Sequence, residues 1–241
     1  MVIAGVVAVA VLVVCGLFSW GVFQDELAGK ADGARNEPSG APMRDISSRE
    51  GDPEPLTVDE VFPSEQIVIN ADENPYEVLG TEATEDCSVA VADALSDLLA
   101  ELDCTQVVRA TLRSPNGEYL VTTGIFNLAT RDQAVRAYEE IPPIVDEQTG
   151  RFVGLLAGEG TEPIMISETR LGWDYRGHYL MYAVVAKADG TDFGADDDRY
   201  AQLIIWDMVE VHLRTGVLEA RANLPAPSGS PQPSPSSSDG G

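Results

Sequence analysis

From Val2 to Phe23 the chain is apolar and carries no charged side chain. As a helix this run rises about 33 Å, close to the roughly 30 Å hydrocarbon thickness of a bilayer. A helix satisfies its own backbone polar groups, so lipid tolerates it. Trp20 and Phe23 lie at one end, where aromatic belts form, and Asp25 and Glu26 end the run. The pattern predicts a transmembrane anchor over 1–23. A signal peptide has a basic start and a shorter apolar stretch of about 7–15 residues, neither of which is found here. A lipidated cysteine normally follows a small residue, whereas Val14 precedes Cys15. An uncleaved anchor is the expectation.

The pattern then changes twice. Residues 24–55 are rich in Gly, Pro, Ala, Asp, Glu and Ser without apolar periodicity, which predicts a disordered acidic linker. Residues 225–241, PAPSGSPQPSPSSSDGG, predict a disordered Pro/Ser-rich tail. Between them, 56–224 has the periodicities of one folded domain. Ile67 to Ile69 and Glu77 to Thr84 read as strands. Val91, Leu95, Leu98, Leu99 and Leu102 recur at helical spacing, predicting a helix from Ser88 to Leu102. Gln106 to Arg113 alternates, with Val108, Ala110 and Leu112 on one face and Val107, Arg109, Thr111 and Arg113 on the other. Ser114-Pro115-Asn116-Gly117 is a turn, so Glu118 to Phe126 returns as the second strand of a hairpin. Thr130 to Gln133 is a capping box opening a helix that the Pro142-Pro143 pair should halt after Ile141. Strands are expected over 151–157, 163–168, 171–176 and 177–187. The last is apolar on both faces over Tyr179 to Ala186 and so is central. Asp196 to Leu213 is the final helix, apolar nearly all round at its centre. The order is α+β, a mostly antiparallel sheet packed with about three helices, preceded by one N-terminal transmembrane helix.

Charge narrows the partners. Forty acidic and 15 basic residues give a net charge of −25. Such a surface repels phosphate backbones and anionic headgroups, so no nucleic acid is expected and the domain should stand off the membrane that holds its anchor. A basic protein or an envelope component is the expected partner. Lys30 and Arg35, the first basic residues, mildly favour an inward domain. The remaining cysteines and the linker chemistry favour an extracytoplasmic one, which is the expected location: single-pass at the cell membrane.

Three constellations bear on chemistry. Cys87 and Cys104 suit a disulfide in an oxidising compartment, but a helix of about 15 residues between them separates its ends by about 20 Å, against the roughly 7 Å that a disulfide spans. Both outcomes stay open. Asp93, Asp97 and Glu101, at i, i+4 and i+8, form an acidic face open to a basic partner or to solvent. Asp189, Asp192 and Asp196 to Asp198 lack the ligand spacing of a calcium loop and read as a turn plus a helix start. His178 and His212, the only histidines, have no nucleophile motif near them in sequence, and Arg109 is expected to pair with an acid. No catalytic, cofactor or metal motif is present, so a non-catalytic interaction or sensing module is expected, with a small-ligand-binding domain as the alternative.

The segments Leu56 to Phe62, Asp103 to Ala110 and Gly124 to Leu128, with Gly172-Trp173 and Arg176-Gly177-His178, are similar to those of a family of actinobacterial single-pass membrane-anchored proteins with no known activity. The resemblance implies an envelope location and supplies no activity.

Overall fold

The computed structural model describes residues 43–194 and 196–226. The predicted anchor, most of the predicted linker and most of the predicted tail lie outside them. No helix among the described residues is long and apolar enough to cross a membrane.

Short helix α1 (Val58–Val61), capped by the Thr57 hydroxyl, leads into strands β1 (Gln66–Ile67) and β2 (Tyr76–Thr84). A 3-10 turn at Cys87–Ala90 precedes β3 (Val91–Asp93) and helix α2 (Ala94–Glu101). The hairpin follows as β4 (Gln106–Arg113) and β5 (Tyr119–Asn127), then α3 (Arg131–Asp146) and β6 (Gly150–Phe152). After α4 (Pro163–Ile166) come β7 (Thr169–Arg176) and β8 (Tyr179–Lys187). The chain ends in one long helical run: α5 (Asp197–Trp206), a π-helical stretch Asp207–Leu218, and α6 (Glu219–Ala222).

Six strands form an antiparallel sheet in the order β1-β2-β4-β5-β8-β7, and β3 pairs with β6 apart from it. The α+β class and the antiparallel sheet agree with the sequence expectation, with more helices than the three expected. Both faces of the sheet are covered, because side chains alternate along each strand. Tyr179, Met181, Ala183 and Val185 join Ile204, Met208 and Leu213 of the final helical run in one core. Leu180, Tyr182, Val184 and Ala186 join Leu95 and Leu99 of α2 and Ala137 and Ile141 of α3 in the other. Strands β5 and β8 are therefore buried along almost their whole length, which is why β8 reads as apolar on both faces.

Four expectations are corrected. Residues 43–55 of the predicted linker are folded: Arg44 and Asp52 are buried, and Met43 bridges to Pro225. The domain therefore begins before Leu56, and its first segment is held by charge pairing and backbone hydrogen bonds as well as by the burial of Ile46. The predicted helix from Ser88 to Leu102 is only Ala94–Glu101, because Val91 to Asp93 pair with β6 and Asp93 turns at φ 57°. The 163–168 strand is helix α4. Helix α3 runs through Pro142-Pro143 to Asp146. Pro142 has no N–H for the Tyr138 carbonyl one turn earlier, and Trp173 Nε1 donates to that carbonyl instead, at 3.4 Å.

Candidate functional site

Residues 43–49 form a strap across one end of the sheet. Asp45 accepts a bond from the Ser47 amide at 2.9 Å, and Ser48 Oγ caps Gly51 N at 3.1 Å, so the polar residues fold the strap locally. Backbone bonds then fasten it on three sides. Arg44 N donates to Leu224 O at 2.9 Å, Arg131 N to Ser47 O at 2.8 Å, and His178 N to Ile46 O at 2.8 Å. The strap lies tight against the β7–β8 turn: a Cβ at Gly177, where φ is +58°, would sit 2.0 Å from Ile46 O, so only glycine fits.

Beneath the strap is a buried charge network. Asp52 is fully enclosed. Its Oδ1 accepts from Arg44 Nη1 at 3.0 Å and Arg221 Nη2 at 2.9 Å; its Oδ2 accepts from Arg221 Nε at 2.6 Å and the Tyr179 hydroxyl at 2.7 Å. Glu60 takes Arg221 Nη1 at 2.6 Å, and Glu54 takes Arg44 Nη2 at 2.6 Å. Burial alone pulls the Arg221 guanidinium toward neutrality, but hydrogen bonds to Asp52 and Glu60 outweigh it and hold its pKa above the ordinary value. Burial raises the Tyr179 hydroxyl pKa.

His178 stacks on Tyr179 at 3.9 Å between ring centroids and bonds Ile46 O through Nδ1 at 2.9 Å. Its Nε2 is buried without a partner, and burial lowers its pKa. His212 Nε2 bonds Val61 O at 2.9 Å, and burial brings its pKa down to about 4. Neither ring has a nucleophilic side chain as a hydrogen-bond partner.

Outside the network, between the strap, α3, β7 and the final helix, opens a cleft of about 650 Å³. Its walls bring together Arg44, Arg131, Arg176 and Arg214, four of the 15 basic residues, with Asp45 and Asp174. Arg214 pairs with Asp174, and Arg176 reaches Glu219 at 3.6 Å. Arg131, the first residue of α3, has no acidic partner among the described residues. Arg44 is 8% exposed, and its Nε is buried with no partner. Hydrogen bonds from the hydroxyl and backbone of Ser47 lower the Asp45 pKa from its ordinary value. Arg44 is taken up by Asp52 and Glu54, Arg176 by Glu219, and Arg214 by Asp174 and Glu210, so the guanidinium the cleft offers without an acidic partner among the described residues is Arg131.

The residues singled out in the sequence lie elsewhere. Cys87 and Cys104 form a disulfide with Cα atoms 6.3 Å apart. The geometric objection fails because α2 is only eight residues long and Cys87 precedes it in a 3-10 turn. The Asp93, Asp97 and Glu101 stripe is broken: Asp93 ends β3, and Glu101 pairs with Arg136 at 3.0 Å, so the three do not form one helical face. Asp189 closes a turn on Thr191, Asp198 pairs with Arg170, and Asp197 accepts from Tyr119 and Lys187, which together with the Gly194 amide bring it down to about 2. Arg109 pairs with Glu82 at 2.7 Å on the sheet. No group of three potential ligands among the described residues is arranged to hold a metal ion. The cleft arginines escaped sequence reading because they come from four separate elements; the scarcity of basic residues in an acidic chain was the one available signal. Compared with protein-family models, with curated proteins and with solved structures, the chain matches none of them.

Proposed function

We propose that this is a membrane-tethered, extracytoplasmic, non-catalytic binding module of the cell envelope, and that the arginine cleft receives the anionic group of its ligand. The carrying observation is the convergence of Arg44, Arg131, Arg176 and Arg214 on one opening. Guanidiniums recognise carboxylates and phosphates by charge and paired donors. The cleft volume falls within the range of small-ligand sites, which also supports the small-ligand alternative. The Cys87–Cys104 bond supports an oxidising compartment, and the uncharged run from Val2 to Phe23 supports the tether. The enclosure of His178 and the backbone bond of His212 support the absence of acid–base work.

The full chain in detergent micelles, titrated calorimetrically with citrate and with inorganic phosphate, should bind at least one of them. Arg131→Ala should weaken that binding about tenfold, the loss of one charge-assisted contact. Equal binding by the wild type and the variant, or none by either, overturns the reading.

A further inference from the structure

The cleft does not end at the sheet. A second groove of about 330 Å³ runs on from it between α3 and β7, and Tyr138 lines both. Its floor is Leu171, Gly172 and Trp173, and its far wall is Glu139 and Pro142. The combined channel therefore follows β7, an edge strand of the six-stranded sheet.

The edge is open at one stretch. The β7–β8 turn closes on the pair Arg176 and Tyr179, and the register then matches Asp174 with Met181 and Gly172 with Ala183. In an antiparallel ladder alternate residues bond the partner strand, so Leu171, Trp173 and Tyr175 turn their N–H and C=O groups outward. Tyr175 is already engaged: its N–H donates to Asp174 Oδ1 at 2.7 Å and its carbonyl takes Arg214 Nη1 at 3.5 Å. The outward groups of Leu171 and Trp173 have no backbone partner among the described residues. Natural proteins generally cover or charge such an edge, and here Asp174 and Arg214 do so at only one end.

We infer that β7 accepts an extended acidic peptide segment of a partner protein as a seventh strand. Its main chain pairs with Leu171 and Trp173, an apolar side chain lies on Tyr138 and Pro142, and its carboxylates reach the arginine cleft. Backbone pairing supplies affinity and the side-chain sites supply selection, the usual division in strand addition. Charge selects the occupant: Arg131, which has no acidic partner among the described residues, favours a peptide carboxylate at that end of the channel, and the remaining surface of a chain of net charge −25 disfavours unselective binding of acidic chains. Tyr138 is 42% exposed and Trp173 half-buried, which leaves aromatic surface for an apolar side chain.

The inference rests on the anion-binding reading of the cleft, and the test separates the two. The probe is a blocked six-residue peptide alternating valine and glutamate, fluorescein-labelled, titrated with the full chain in micelles and followed by anisotropy. Binding should weaken about tenfold when the amides facing β7 are N-methylated, the equivalent of two backbone hydrogen bonds at their net strength. It should weaken by a similar factor in Arg131→Ala, and a valine–lysine peptide should not bind. Leu171→Pro, which blocks an outward N–H without removing a ladder bond, should also weaken it, with the thermal melt confirming the fold. Citrate or phosphate binding without peptide binding overturns the strand inference and leaves the cleft reading standing; loss of both overturns both. Equal affinity for the N-methylated peptide overturns it too. So does a stable dimer by light scattering that the peptide fails to dissociate, or peptide binding seen only after residues 227–241 are removed, since each assigns the groove to this chain itself.

Discussion

On one face of the sheet, the strap and the residues after it, 43–54, are fastened to α6 by charge: Asp52 holds Arg44, Arg221 and the Tyr179 hydroxyl, and Arg221 also holds Glu60. On the other face, the turn before α2 is fastened to the segment before β4 by the Cys87–Cys104 bond. The two fastenings answer to different conditions. The disulfide acts chiefly on the unfolded chain and responds to reductant. The ion network joins residues 169 positions apart, responds to the loss of any member, and shapes the wall of the arginine cleft. The proposed binding cleft lies at the β7 edge, between the strap and final helix of the first face and α3 of the second.

Asp52→Ala should break the comparison most severely. It leaves two buried guanidiniums without their shared carboxylate, and removing one partner of a buried ion pair costs about 3–5 kcal/mol. Urea denaturation should show that loss. Arg131→Ala, at the mouth of the same cleft, should leave the midpoint within about 0.5 kcal/mol of wild type, as expected for a surface change. Equal effects of the two substitutions would make the network and the cleft a single unit.

The disulfide comes next. Cys87 and Cys104 are 17 positions apart, and closing a loop of that size is worth about 3 kcal/mol on the chain-entropy account. Paired Cys87→Ala and Cys104→Ala substitutions should lower stability by that order while citrate binding stays unchanged. A loss of binding would show that the two faces are coupled through the sheet.

His212 sharpens the comparison through pH. Burial lowers its pKa in the fold from 6.5 to about 4, so between those values the unfolded chain binds a proton that the folded chain refuses. Stability is therefore present above pH 6.5 and is lost as pH falls toward 4. The ring packs on Phe62 and bonds Val61 O, on the same face as the strap. Allowing for its partial exposure, the swing should be roughly 2 kcal/mol, and His212→Gln should flatten it. An unchanged slope in that variant would assign the acid sensitivity to His178, whose pKa burial also lowers.

The same contrast explains what was legible in the sequence. The β4–β5 hairpin was readable because alternation and the Ser114 to Gly117 turn agree, and Val108, Ala110 and Leu112 do share one core. The apolar residues on both faces of β8 fit an interior strand, and β8 does lie between β5 and β7, one place in from the edge rather than at the centre. The strap was not readable. Its few apolar residues suggest a linker, and its partners Arg131, His178, Arg221 and Leu224 all lie far along the chain. The helix at 88–102 was overdrawn because Val91 fits a helical period equally well but is used in β3. The cleft arginines carry no shared motif; only the fold brings them together.

The smallest predicted effect concerns the groove wall where α3 passes through Pro142. Trp173 Nε1 donates to the Tyr138 carbonyl at 3.4 Å, a long bond in a partly exposed place. Trp173→Phe keeps aromatic packing against Phe152, whose ring lies 6.1 Å from Trp173, but removes the donor. Its cost should fall at the low end for a hydrogen bond, about 0.5 kcal/mol. Pro142→Ala supplies an N–H that reaches the same carbonyl within the helix. If the indole replaces the proline's missing donor, Trp173→Phe should cost less in the Pro142→Ala background than alone, and a double-mutant cycle measures that difference. Strict additivity would mean that α3 tolerates its prolines for another reason, and that Trp173 is held in the groove by packing alone.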